Sequence, residues 1–123
     1  MSETLKRREI LRQQRDLARV KAAGRRVAGQ VLYLRFAQVA DRPDPLLSRR
    51  VAFLLGRGIR PAVRRNRLKR RLREAYRRNK TSFPEGYDYL LFATPGAADL
   101  GYAELAGQVC ALARRCRESE ERS

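Results

Sequence analysis

A chain of 123 residues, 43% of them apolar, has the length for one modest hydrophobic core, and its 29 Lys and Arg against 13 Asp and Glu leave a net charge of +16. A surplus that large points to nucleic acid or an anionic membrane surface as partner. No apolar run approaches the roughly 18 residues of a membrane span, the N-terminus lacks a signal-peptide core, and no His with only two Cys excludes a zinc site. A cytoplasmic protein is the expectation.

Residues 5–23 read as a first helix whose stripe holds Ile10, Leu11, Leu17 and Ala18, with Gln14 and Lys21 in the same sector and Gly24 as its stop. The polar positions leave two readings open: a helix half buried at the edge of the core, or one whose polar positions line a groove. Residues 31–39, VLYLRFAQV, alternate, with Leu32, Leu34 and Phe36 on one face and Tyr33 and Arg35 on the other. This predicts a strand with one buried face, and a short strand at Val27 and Ala28 precedes it. Pro43 and Pro45 make residues 41–50 a loop. Residues 51–55 are an unbroken apolar run and read as a buried strand, followed by the glycine-containing turn GRGIRPAV.

Residues 61–80, PAVRRNRLKRRLREAYRRNK, then read as a helix opened by Pro61. From Arg60 to Lys80 there are 11 cations and one acid, Glu74, a balance of +10 within the +16 of the whole chain. At about 100° per residue, Leu68, Leu72, Ala75 and Tyr76 make one narrow apolar stripe. Asn66, Lys69, Arg70, Arg73, Glu74 and Arg77 lie opposite, flanked by Arg67, Arg71 and Arg78. Like charges at i, i+4 repel by a few tenths of a kcal/mol per pair; a polyanion laid on this face removes that cost. Arginine forks suit phosphate, and Asn66 can bond a base edge or a sugar hydroxyl. Glu74 reads as an internal partner for Arg70 or Arg78.

Residues 87–93, YDYLLFA, are another strand-length apolar run closed by Pro95 and Gly96. Residues 102–117 place Tyr102, Leu105, Val109, Leu112, Ala113 and Cys116 on one helical face. Residues 1–4 and 118–123 are expected to fray, and the chain 1–123 reads as a single α+β domain. Cys110 and Cys116 point about 120° apart on their helix, which argues against a disulfide between them. With no His, no reactive-looking Cys and no paired carboxylates, neither catalytic nor metal-binding residues emerge. A leucine zipper is excluded by Pro84 and Gly86 after the basic run, and the narrow apolar stripe argues against a membrane-surface helix. A structural RNA-binding protein and a free-standing nuclease are the other classes weighed.

The run AVRRNRLKRRLREAYR, after a strand and a glycine turn, resembles the arginine-asparagine-arginine motif helix of the bacterial ribonuclease P protein component. RDLARVKAAGRRVAG, RVAFLLGRGIR and GYDYLLFATPGAADLGYAEL resemble that family's first helix, central strand, and last strand with the start of the last helix. The resemblance implies a two-layer αβββαβα sandwich with a left-handed βαβ crossover. It implies a protein that binds a catalytic RNA and the 5′ leader of precursor tRNA, assisting Mg2+-dependent removal of the leader, the RNA holding active site and magnesium. Neither DNA nor a membrane is an expected partner. Arg65, Asn66 and Arg67 match the motif, and Lys69, Arg70, Arg73 and Glu74 the positions after it. With Arg57, Arg64, Arg71 and Arg77 these cations form the expected RNA-binding set. The chain departs from the family at Leu17, where an aromatic is usual, and at Gly56, Arg57 and Gly58, where Ser-Lys-Lys is usual. Tyr33, Arg35, Gln14 and Lys21 are therefore the expected leader cleft, with Phe36 on the packed face.

Overall fold

The computed structural model describes residues 9–11, 13–39 and 49–121. Helices α1 (Gln14–Ala23), α2 (Ala62–Asn79) and α3 (Tyr102–Glu121) and strands β1 (Arg25–Ala28), β2 (Leu32–Gln38), β3 (Arg49–Leu55) and β4 (Tyr87–Ala93) run in the order α1-β1-β2-β3-α2-β4-α3. The strands make one sheet, ordered β1-β2-β4-β3 and antiparallel except for the β3–β4 pair. Parallel neighbours need a crossover connection, and here the basic helix α2 is that crossover. The expected α+β order is what forms, with the short strand before residue 31 present as β1.

Side-chain alternation along the strands divides the sheet into two unlike faces. On one, Leu34 of β2 lies beside Leu91 of β4, and Leu91 beside Phe53 of β3; Phe36, Tyr89 and Val51 make the next row. Leu68, Leu72, Ala75 and Tyr76 of α2 and Leu105, Val109, Leu112, Ala113 and Cys116 of α3 close over this face to form the main core. On the other face, Leu11, Val20, Ala37, Ala52 and Leu90 form a smaller cluster beneath α1, with Leu17 and Leu54 half buried at its margin. β4 is interior to the sheet, under α2 and α3 on one face and partly under α1 on the other, so it reads as a continuous apolar run rather than an alternating one.

Several boundaries differ from expectation. The first helix begins at Gln14; Ile10 instead bridges Val51 in parallel, and the Leu11 N–H donates to the Val51 carbonyl at 2.7 Å. This extended piece covers the outer edge of β3, whose unpaired backbone would otherwise need a partner. Its apolar residues happen to fall in phase with the helix that follows, so periodicity alone merges the two. Gly24 does end α1, though through close approach rather than a left-handed turn: its φ is −75°, and a Cβ there would stand 2.3 Å from the Val20 carbonyl oxygen. β3 starts at Arg49, inside the stretch expected as a loop, and it is an edge strand with Phe53, Leu54 and Leu55 half buried. Pro43 and Pro45 lie outside the described residues, as do 1–4 and 122–123. Pro61 sits one residue ahead of α2 in extended backbone, with φ −74° and ψ −176°. α3 continues to Glu121, past the expected end at 117, and the Ser119 carbonyl accepts from Arg25 Nη1 at 3.1 Å.

What holds α2 down is its narrow seam. Leu68, Leu72 and Tyr76 are almost wholly buried, and each contributes about 1.5–3 kcal/mol by leaving water. Four like-charged i, i+4 pairs within α2 (65–69, 67–71, 69–73 and 73–77) oppose this by about 1–2 kcal/mol in all, so burial wins. Leu72→Ala is expected to destabilise the fold by about 2–5 kcal/mol in urea unfolding, whereas Val63→Ala, at a position 63% exposed, should change stability by no more than about 0.5 kcal/mol.

Candidate nucleic-acid interface

The turn into α2 requires glycine at Gly58, whose φ of +89° lies in the left-handed region. The turn and the first two thirds of α2 bring Arg57, Asn66, Arg67, Lys69, Arg70 and Arg73 to an exposed surface. Among the described residues none of these six has a hydrogen-bond or ion-pair partner. Guanidinium groups left unpaired on one face of a helix are ready to take anions.

The remaining cations of the motif helix are already engaged. Arg64 forms an ion pair with Asp99, and Arg71 Nη1 donates to the Leu100 carbonyl at 3.0 Å; both tie α2 to the 3₁₀ segment before α3. Arg65 Nη1 donates to the Gly56 carbonyl at 3.2 Å, which leaves most of its fork exposed. Glu74 accepts from Arg77 Nε at 2.9 Å and Nη2 at 2.5 Å and from Arg78 Nε at 2.9 Å. The Arg77 hydrogen bonds, and then that from Arg78, hold its carboxyl well below the usual range, at about 2. Glu74 is thus an internal partner, of Arg77 and Arg78 rather than Arg70. The ten expected RNA contacts accordingly fall into an unpaired outward set (Arg57, Asn66, Arg67, Lys69, Arg70, Arg73) and a set shared with the protein's own acceptors (Arg64, Arg65, Arg71, Arg77).

Behind the basic helix, the second face of the sheet carries the cleft. Lys21, Tyr33, Arg35, Leu54, Leu90 and Phe92 line a hollow of about 330 Å³. Three of the four expected cleft residues are brought together there, and Arg35 Nη1 donates to the Lys21 carbonyl at 3.1 Å, bridging sheet and helix. Gln14, at the far end of α1, is exposed and does not line it. Phe36 lies buried on the opposite face, as expected.

Two cleft features escaped the sequence reading. Phe92, the cross-strand neighbour of Tyr33, stacks on it with ring centroids 4.6 Å apart and planes at 21°. Arg26 of β1 sets its guanidinium 4.5 Å from the Tyr33 ring centroid. A row of one cation and two rings therefore crosses the open face. Phe92 could have been found only by pairing β2 with β4 in register, which a single sequence does not supply. A neighbouring hollow of about 310 Å³ is walled by Leu17, Phe53 and Leu54 and by Lys69 and Arg73 of α2. Leu54 belongs to both hollows, so the cleft and the cationic face of α2 are continuous.

Among the described residues no group of three or more His, Cys, Asp or Glu could hold a metal ion. Cys110 and Cys116 are free, and burial pushes the Cys116 thiol up to about 12, far from a reactive thiolate. The arrangement is suited to binding a flexible polyanion with bases, by charge and stacking together.

Residues 5–117 match the family model described as Ribonuclease P. The chain is 38% identical over 108 residues to the ribonuclease P protein component of Pelotomaculum thermopropionicum, covering 87% of this chain and 91% of that one. It is 36% identical over 112 residues to that of Acidothermus cellulolyticus, covering 89% of each. Among solved structures, the RNase P protein from Thermotoga maritima superposes with a TM-score of 0.74 at 24% identity, over 87% of this chain and 96% of that one, a likeness of fold. Family match, fold and the intact arginine-asparagine-arginine helix agree, and the chain belongs to the ribonuclease P protein component family.

Proposed function

We propose that this chain, as the protein subunit of ribonuclease P, lays the outward face of α2 on the catalytic RNA and takes the 5′ leader of precursor tRNA into the cleft beside α1. The observation that carries this reading is the unpaired cationic set of α2 running without a break into a hollow floored by Tyr33 and Phe92. Arg57, Arg67, Lys69, Arg70 and Arg73 contact phosphates, Asn66 a base edge or ribose hydroxyl. Lys21 and Arg35 hold the leader backbone, and the Tyr33–Phe92 pair offers its bases an aromatic surface. The pair stands in for the aromatic that Leu17 does not supply.

The division of labour is the one the family resemblance implies: cleavage and the Mg2+ ions that assist it belong to the RNA, and the protein contributes affinity and alignment. Stacked and ion-paired contacts to a leader favour precursor over product, because product no longer carries the leader. The work takes place in the cytoplasm, with the catalytic RNA and precursor tRNA as partners.

Reconstitution with the cognate RNA tests the reading. The protein alone should leave precursor tRNA intact, and leader removal at low Mg2+ should require both components; cleavage by the protein alone would overturn it. The log of affinity for the catalytic RNA should fall linearly with log salt, and Arg67→Gln with Arg70→Gln should flatten that slope by about 1.4–1.8. Arg64→Gln, removing a guanidinium bound to Asp99, should leave the slope nearly unchanged. Tyr33→Ala should weaken leader-bearing precursor by about 1–3 kcal/mol while leaderless tRNA binds as before, measured by equilibrium titration of the holoenzyme.

A further inference from the structure

Asp88 is fully buried and is the only buried charged or polar residue among those described. It sits on the cleft face of β4, opposite Ala37 of β2 and beside Arg50 of β3. Arg50 donates to it twice, from Nε at 3.0 Å and Nη2 at 2.8 Å, and Arg19 of α1 donates a further bond from Nη2. Asp16, one turn earlier on α1, lies 3.7 Å from Arg50 Nη2. One carboxylate thus joins a helix to two strands, between the cleft and the opposite end of the sheet.

We propose that Asp88 is a positioning residue for the cleft: through Arg19 and Arg50 it fixes the seat of α1 over the sheet, and so the place of Lys21 relative to Tyr33 and Phe92. Helix α1 has only ten residues, too few to hold together alone. Its apolar anchorage is slight, since Val20 is fully buried but Leu17 only partly. Greasy contacts of that kind resist lifting but permit sliding and rotation. Hydrogen bonds from two planar forks to one carboxylate are directional and permit neither. Burying a charge costs several kcal/mol of desolvation, and apolar side chains of similar volume often serve stability as well or better. A charged network in that place is therefore better explained by geometry than by stability.

The inference rests on the cleft taking the leader, and the test separates the two. The quantity to measure, with holoenzyme reconstituted on the catalytic RNA, is the ratio of affinities for leader-bearing and leaderless tRNA. Asp88→Asn should bind the RNA subunit within about twofold of the parent, while that ratio falls about tenfold or more, as small misplacements of a binding wall do. A triple replacement, Arg19→Met with Arg50→Met and Asp88→Leu, should regain the parent's unfolding midpoint and still lack the preference. An unchanged ratio in Asp88→Asn, or a full preference in the triple variant, would overturn the proposal by reducing the network to a source of stability. Should Asp88→Asn fail to fold, Arg19→Gln, which leaves Asp88 bonded to Arg50, carries the same expectation. If the parent itself shows no preference for a leader, the reading of the cleft fails. The seat of α1 is then decided by amide exchange across Gln14–Ala23: faster exchange in the variant upholds it, and unchanged exchange overturns it.

Discussion

A dense row of like charges stays on this small protein because four side chains of the same helix are buried. Leu68, Leu72, Ala75 and Tyr76 are all within the main core, and their transfer from water outweighs the mutual repulsion of the arginines beside them. The narrowness of that seam matters as much as its strength. A wider apolar stripe would have taken circumference from the cations; a narrower one would have released the helix. The protein meets the constraint by bonding some cations inward. Arg64 and Arg71 fasten α2 to the segment before α3, and Glu74 offsets part of the charge of Arg77 and Arg78. Of the unpaired cations, Arg57 lies in the turn, and Lys69 and Arg73 wall the hollow beside the cleft.

The sheet is used on both sides for unlike purposes. One face is closed by α2 and α3 and supplies the rigid body. The other is only partly covered by the short α1, and its uncovered half is the hollow containing Tyr33 and Phe92. Antiparallel sheets commonly leave one face wet and polar; here the wet face keeps two aromatic rings and a guanidinium in a row. Both rings are only half buried, so part of their apolar surface stays open on this face, where its chemistry suits the stacking of bases. Positive charge arrives from both walls, Lys21 from α1 and Lys69 and Arg73 from α2, so a strand lying in the trough meets cations on either side.

Edge management accounts for the N-terminal segment. β3 is an outer strand beside the crossover, and residues 9–11 run along it, Leu11 bonding Val51 and Glu9 pairing with Lys80 at 3.3 Å. The same strand therefore has its edge covered, one face in the core, and Leu54 at the junction of the two hollows.

Much of this was legible in the residues. The basic helix, its buried stripe, the opposition of Tyr33 to Phe36 and the last helix all follow from periodicity, because the side-chain repeat of a helix or strand is a local property, and the last strand follows from an unbroken apolar run of strand length. The arginine-asparagine-arginine spacing carried the family. What the residues could not show was anything set by which strands lie together. The split at Gln13 between extended chain and helix, the pairing of Tyr33 with Phe92, the inward turn of Arg64 and Arg71, and the gathering of Arg19, Arg50 and Asp88 all depend on partners from about 30 to 70 positions away in the chain. Charge and pattern determined that one helix of this protein presents a cationic face able to take a polyanion. Only tertiary packing decided which cations remain free to do so and where the aromatic floor beside them lies, because both are consequences of strand order and register, which a one-dimensional pattern does not contain.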